Sequence, residues 1–239
     1  MGSHFQPLFL LILRTAQMAQ LTLIRHGQSL WNAQNRFTGW VDVPLSRQGI
    51  DEALAAGDKL KDMSFDVAFT STLMRAQETL MLLLSANQAS NSPVIMHEED
   101  GGDWFQHMEA EVIAGMLPIY YDQRLNERYY GDLQGKDKDE TREKYGADQV
   151  KIWRRSFSTC PPNGESLELT CKRTLPCFEE RIMPLLEAGK NVIISAHGNS
   201  LRSIIMDLEN ISEEDIVSLE IATGNPLHYK YEAGSFQKI

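Results

Sequence analysis

Two apolar runs that each end in His-Gly constrain the fold of this chain more than any other feature. Leu21-Thr-Leu-Ile24 leads into Arg25-His26-Gly27, and Asn191-Val-Ile-Ile-Ser195 leads into Ala196-His197-Gly198. Each run is short, apolar or β-branched, and closed by a glycine, which is how a buried strand reads. Ligands of open α/β sheets gather outside the carboxyl ends of the strands. Both imidazoles are therefore expected to face one pocket. A single His-Gly is an ordinary strand-end turn, and two core histidines held by hydrogen bonds are the plain alternative. Arg25 weighs against it, because a guanidinium at a buried strand end needs an anion.

These groups suit phosphoryl transfer through histidine. A neutral imidazole is a competent nucleophile near neutral pH when its second nitrogen is fixed in one tautomer. Arg25 can grip two phosphoryl oxygens in a fork. Gly198-Asn199-Ser200 opens a helical pattern, so His197 would add a donor and free backbone N–H groups to the same anion.

The 239 residues make one domain, with a formal net charge of −10. Such a surface repels nucleic acid and anionic membrane, so an anionic substrate needs a local cationic pocket. Cys160, Cys171 and Cys177 show no CxxC spacing and fit a reduced compartment, with neither disulfides nor zinc. No run approaches the ~20 apolar residues of a membrane span. Leu8 to Leu13 is apolar but lacks the basic start of a signal peptide. Residues 1–17 are read as a loose or artefactual extension, and 18–239 as the domain.

Along that domain strands alternate with helices, which predicts an α/β layer fold. Ser46 caps a helix to about Asp62, and Asp66 to Thr70 is a strand. Thr72 to Leu84 is a helix with Arg75 in its first turn, where the dipole favours an anion beside it. Residues 85–118 break the rhythm and are read as an inserted segment, helix-like from Trp104 to Met116 and hanging from the end of the sheet remote from the site. His97 and His107 lie there among carboxylates without any ligand spacing, so a solvated acidic loop is expected. A strand at 118–121, helices at 137–145 and 148–157, and a helix from Ser166 to about Glu187, bent or broken at Pro176 and Pro184, follow. After the His197 strand come two helical patterns and a strand at 227–231.

With those residues in view, the chain resembles the cofactor-dependent phosphoglycerate mutases of the histidine phosphatase superfamily. The matching segments are Leu-Ile-Arg25-His26-Gly-Gln-Ser29-Leu-Trp-Asn32, Arg36-Phe-Thr38-Gly39-Trp, Thr70-Ser-Thr-Leu-Met-Arg75-Ala, Leu-Asn-Glu127-Arg128-Tyr-Tyr130-Gly, Trp-Arg154-Arg155 and Ser-Ala-His197-Gly198-Asn199-Ser. The first marks only the superfamily; the segments around Glu127 and Arg154 narrow it to mutases. The resemblance implies a three-layer fold with a mostly parallel central sheet flanked by helices. It implies that His26 carries the phosphoryl group, that Arg25, Arg75 and His197 surround it, and that Glu127 is general acid and base. Ser29, Asn32, Thr38, Gly39, Arg128, Tyr130, Lys138, Arg154, Arg155, Gly198 and Asn199 match positions that bind the substrate's phosphate or carboxylate groups. It further implies interconversion of 3- and 2-phosphoglycerate primed by 2,3-bisphosphoglycerate, no metal, a cytoplasmic setting and a homo-oligomer, a dimer first.

Two other readings stand beside the mutase. A phosphatase of the same superfamily needs the same histidines and Arg25, but no means of retaining a phosphorylated product. The stretch after Arg155 and the tail after Tyr231 are shorter than in longer mutases, which would open the site to water. A catalytically silent binding protein built on 85–118 is disfavoured, because no catalytic position is substituted.

Overall fold

A computed structural model describes residues 18–97 and 104–239. The expectations for residues 1–17 and 98–103 lie outside the described residues. In chain order the elements begin with β1 (Ala19–Arg25), α1 (Leu30–Ala33), α2 (Arg47–Leu60), β2 (Val67–Thr70) and α3 (Met74–Ala86). They continue with β3 (Pro93–Ile95), α4 (Ala110–Ala114), β4 (Leu117–Tyr121), α5 (Lys138–Tyr145), α6 (Ala147–Arg155), α7 (Leu167–Cys177) and α8 (Met183–Glu187). The last are β5 (Val192–Ala196), α9 (Gly198–Glu209), α10 (Glu213–Ile216), β6 (Leu227–Glu232) and β7 (Ser235–Lys238).

The strands form one sheet in the order β3-β4-β2-β5-β1-β6-β7. From β3 to β1 every pairing is parallel, while β6 and β7 run antiparallel. Strand periodicity then builds two cores. Leu21, Leu23, Val67, Phe69, Val192 and Ile194 point to one face, against Cys177, Phe178 and Ile182 and against Leu201, Ile204 and Ile205 of α9. Ile24, Ala68 and Ile193 point to the other, against Ala56 and Leu60 of α2 and Leu80, Leu83 and Leu84 of α3. Helices thus cover both faces, and the three-layer α/β fold expected from the sequence is what forms.

The helix expected from Ser166 to about Glu187, bent or broken at its prolines, changes its winding midway. Ser166 accepts the Leu169 N–H at 3.2 Å as the cap. A π-helical turn at Phe178–Ile182 then separates α7 from α8, between Pro176 and Pro184. Neither proline can supply an N–H to the i−4 carbonyl, so the ladder is re-threaded through a wider turn.

The 85–118 reading needs correction. Its Pro93–Ile95 stretch is an edge strand, parallel to β4, and too short to show a period. A parallel strand delivers the chain to the carboxyl end of the sheet, the same end as the two histidines. The segment therefore leaves β3 from the site's end of the sheet, displaced laterally across β4 and β2, and does not hang from the remote end. The helix expected from Trp104 to Met116 shrinks to α4, after a turn in which His107 adopts φ 69°. His97 stacks on Trp104, with ring centroids 4.4 Å apart. Strand β7 is a further element absent from the sequence reading. Among the described residues no helix is long and apolar enough to cross a membrane.

Candidate active site

Strand register brings the histidines together. β1 and β5 pair with Arg25 opposite Ala196, and the His26 N–H donates to the Ala196 carbonyl at 3.0 Å. The next residues are then neighbours: the His26 and His197 rings lie 4.9 Å apart, tilted by 58°. β2 lies on the other side of β5 with Thr70 opposite Ser195, so Ser71 reaches His197 Nε2 at 2.7 Å. The loop after β1 packs tightly on α2 because both contact points are glycine. A Cβ on Gly27 would fall 2.3 Å from the Gly49 carbonyl oxygen.

His26 has a defined tautomer. Its Nδ1 lies 2.6 Å from the Gly27 carbonyl, which can only accept, so Nδ1 carries the proton and Nε2 keeps its lone pair. Burial, then the Arg75 and Arg25 charges, hold its pKa well below the ordinary imidazole value. Burial acts likewise on His197, followed by Arg75 and His26. Both rings are neutral near pH 7.

Arg75 is buried, contrary to an ordinary helix-surface arginine. Its guanidinium donates to the carbonyls of Gly39 at 2.7 Å and Val41 at 3.1 Å. Gly39 holds φ 55°, a backbone that turns its carbonyl toward Arg75 and that other residues adopt only with strain. Burial lowers the Arg75 pKa to about 10, so it stays charged at neutral pH.

Glu127 follows a 3₁₀ turn (Gln123–Leu125) at the end of β4. Its Oε1 accepts from the Arg128 N–H (2.7 Å), the Asn199 N–H (3.1 Å) and the Asn199 side-chain amide (2.8 Å). Burial works to raise its pKa. The hydrogen bonds from Arg128 and Asn199, with Arg25 and Arg75, outweigh burial and keep the carboxylate ionised. Behind it, Arg173 uses its whole fork: onto the carbonyls of Arg124 (2.8 Å), Asn126 and Glu127 (both 2.9 Å), and onto both oxygens of Glu165 at 2.9 Å. The Trp40 indole N–H also donates to the Glu127 carbonyl.

These groups surround a cavity of about 230 Å³. Arg25, Arg36, Arg75, Lys138, Arg154, Arg155 and Arg202 line it, against two carboxylates, Glu127 and Glu220. A chain of net charge −10 has thus gathered a cationic well. Burial first, and then Arg154, depress the Lys138 pKa; burial likewise depresses Arg154. Arg25 Nε, Thr38 Oγ1, Arg75 Nε, Arg128 Nε and His197 Nδ1 are buried without a hydrogen-bond partner. Buried donors are rarely left so: Arg25, Thr38 and Arg75 line the cavity, His197 packs on His26, and Arg128 packs on Tyr130. An anion with several oxygens is the group that would satisfy those that face the cavity.

Asn32, Thr38, Gly39, Tyr130, Gly198 and Asn199 also line the cavity. Ser29 and Arg128 do not. Ser29 is the buried N-cap of α1 and accepts the Asn32 N–H at 3.1 Å, which orients the segment carrying Asn32. Arg128 lies under Tyr130, 4.8 Å from its ring, donating to the tyrosine hydroxyl and to the Arg154 carbonyl, both at 3.0 Å. His197 is packed behind His26. Sequence reasoning did not assign Arg36, Arg202, Glu220 or Arg173. Arg202 could have been found, since it stands one turn after Asn199 on the same face of α9. Its guanidinium donates to Asn199 Oδ1 at 3.1 Å.

Comparison with known proteins agrees with this geometry. The chain matches the profile of the histidine phosphatase superfamily (branch 1) over residues 21–114 and 106–238. The 2,3-bisphosphoglycerate-dependent phosphoglycerate mutase of Chlamydia muridarum is 51% identical over 221 residues, covering 92% of this chain and 97% of that protein. The protein of the same name from Chlamydia trachomatis serovar D is 52% identical over the same shares. Among solved structures, Bacillus stearothermophilus YhfR is similar at 25% identity and TM-score 0.70, covering 92% of this chain and 95% of that one. A mycobacterial glucosyl-3-phosphoglycerate phosphatase shares the fold, at 22% identity and TM-score 0.71, over 92% and 97%.

Proposed function

Because this chain belongs to the histidine phosphatase superfamily, we propose that the cavity above His26 interconverts 3- and 2-phosphoglycerate, in the manner of the 2,3-bisphosphoglycerate-dependent mutases it is similar to. One observation carries the reading: a neutral His26 with its Nε2 lone pair available and an ionised Glu127 line one cation-rich cavity.

The residues divide the work by chemistry. His26 Nε2 attacks phosphorus as the ester P–O bond to the substrate breaks, and the phosphoryl group passes to nitrogen. Arg25 and Arg75 offer Nε donors to the equatorial oxygens, where charge concentrates during transfer. If Ser71 donates to His197 Nε2, the proton of His197 sits on Nδ1, the nitrogen without a partner, and adds a third donor. Glu127 has three donors on Oε1, which leaves Oε2, ionised at rest, to take a proton from the accepting hydroxyl and then to return that proton to the leaving oxygen in the reverse-sense transfer. Lys138, Arg154, Arg155 and Arg202 hold the anionic groups that are not transferred. The cluster of partnerless buried donors fits a ligand with several anionic groups, as 2,3-bisphosphoglycerate is. That cofactor, when bound, supplies the phosphoryl group that charges His26. Small phosphoglycerates are thus the ligands; a cytoplasmic setting and a dimer remain part of this proposal.

Brief exposure to labelled 2,3-bisphosphoglycerate should leave acid-labile, base-stable label on the protein, and His26→Ala should abolish it. Label that persisted in the variant would refute the assignment. Phosphatase release without mutase turnover would replace it by hydrolysis.

A further inference from the structure

A strap, residues 217–224 between α10 and β6, contributes Glu220 to the lining of the cavity. Three site arginines tie it down through alternate carbonyls. Arg155 donates to Val217 at 3.3 Å, Arg202 to Leu219 at 2.8 Å and Arg25 to Ile221 at 2.8 Å. The Gly224 N–H returns to the Arg25 carbonyl at 3.0 Å. The strap is therefore fixed by main-chain bonds, whatever its side chains do.

Glu220 sits between those anchors, and its carboxylate turns onto the substrate's cations. One oxygen pairs with Arg155, and the other lies 3.6 Å from Arg202. The side chain is 66% exposed, so the pairs are surface pairs that contribute little to folding. Yet Glu220 lines the cavity, where the other carboxylate among the described residues is the acid–base candidate Glu127. A carboxylate there lowers the potential that a polyanion meets, and occupies guanidinium donors that the polyanion needs.

Resting on the mutase reading above, we propose that Glu220 is a built-in counter-ion. The substrate's far anionic group displaces it from Arg155 and Arg202, so Glu220 loosens the hold on that group without entering phosphoryl transfer. Inorganic phosphate binds at the histidine end and does not meet it.

The test uses the full chain. Glu220→Gln should lower KM for 3-phosphoglycerate, and the Kd of 2,3-bisphosphoglycerate by calorimetry, by roughly three- to tenfold, the size of a solvent-screened charge effect. The gain should shrink at high salt. Glu220→Asp keeps the charge and should behave as wild type, and the Kd of inorganic phosphate should be the same in all three proteins. Wild-type KM and Kd in Glu220→Gln, or weaker binding, would overturn the proposal. So would a lowered melting temperature with lost affinity, which would make the ion pair structural. A wild-type chain without mutase turnover would overturn the functional reading itself.

Discussion

Acidifying the ligand-free protein from about pH 7 to about pH 5 should destabilise it steeply, and the histidine pair should be responsible. Both rings are buried with pKa values well below the ordinary 6.5, first through desolvation and then through arginines nearby. Below 6.5 the unfolded chain takes up protons that the folded site refuses. Stability therefore rises with pH across this window and falls on acidification. For a group that stays neutral when folded, the loss over these two pH units is about 2 kcal/mol. Two such groups lose about 4 kcal/mol, a large part of the roughly 5–15 kcal/mol of a typical domain. His228, half-buried and also lowered by burial, adds a smaller share of the same sign. Glu127 works at lower pH: its depressed pKa gives stability present above the ordinary carboxylate value and lost as pH falls through the folded one. Urea unfolding in phosphate-free buffers reads the effect. His26→Gln and His197→Gln should each remove about one proton from the slope. Inorganic phosphate should offset the loss by binding the folded state alone. A free energy flat across the window, or a slope unchanged in both variants, would refute the reasoning.

Glu127→Gln should lower turnover by roughly 10²–10⁴-fold while keeping ligand affinity, because an amide oxygen can still accept the three donors on the Oε1 side. Turnover near wild type would assign the proton transfer to another group. Arg173→Met should lower kcat at least tenfold with little change in KM, on the order expected when a reacting group is misplaced. In a Glu127→Gln background the same substitution should cost almost nothing, since a residue acting through another does not add to its loss. Equal losses in both backgrounds would make Arg173 merely structural.

Much of the fold was legible because its signals were local. Four-residue apolar runs named the inner strands, Ser46 and Ser166 marked helix starts by their caps, and both prolines announced the change of winding before α8. Edges were illegible for the opposite reason. Pro93–Ile95 and Ser235–Lys238 are three and four residues long and hold no buried residue, so neither carries a period. What makes them strands is a partner, β4 or β6, already in place. The apolar spacing from Trp104 to Met116 misled for the same reason. Trp104, Met108 and Val112 are exposed, and spacing without a surface to bury against does not sustain a helix.

The site divides along another line. Arg25, His26, Arg75, Glu127 and His197 stand in short motifs, so side-chain chemistry at a strand end or helix start was enough to single them out. What the motifs could not show is how much of the site is main chain. Arg75 is aimed by the carbonyls of Gly39 and Val41, and Arg173 grips three carbonyls around Glu127. Arg25, Arg155 and Arg202 are shared with a strap whose contribution is the carbonyls of residues 217, 219 and 221. Any residue but proline offers the same N–H and C=O, so such contacts leave no trace in residue type. Their effect is nonetheless decisive for the electrostatics. A guanidinium anchored to neutral carbonyls keeps its full charge for the ligand, whereas one paired with a carboxylate does not. Arg25, Arg36 and Arg75 are held the first way. Arg155 and Arg202 are held both ways, and the charge of Glu220 is the difference that a polyanion must overcome.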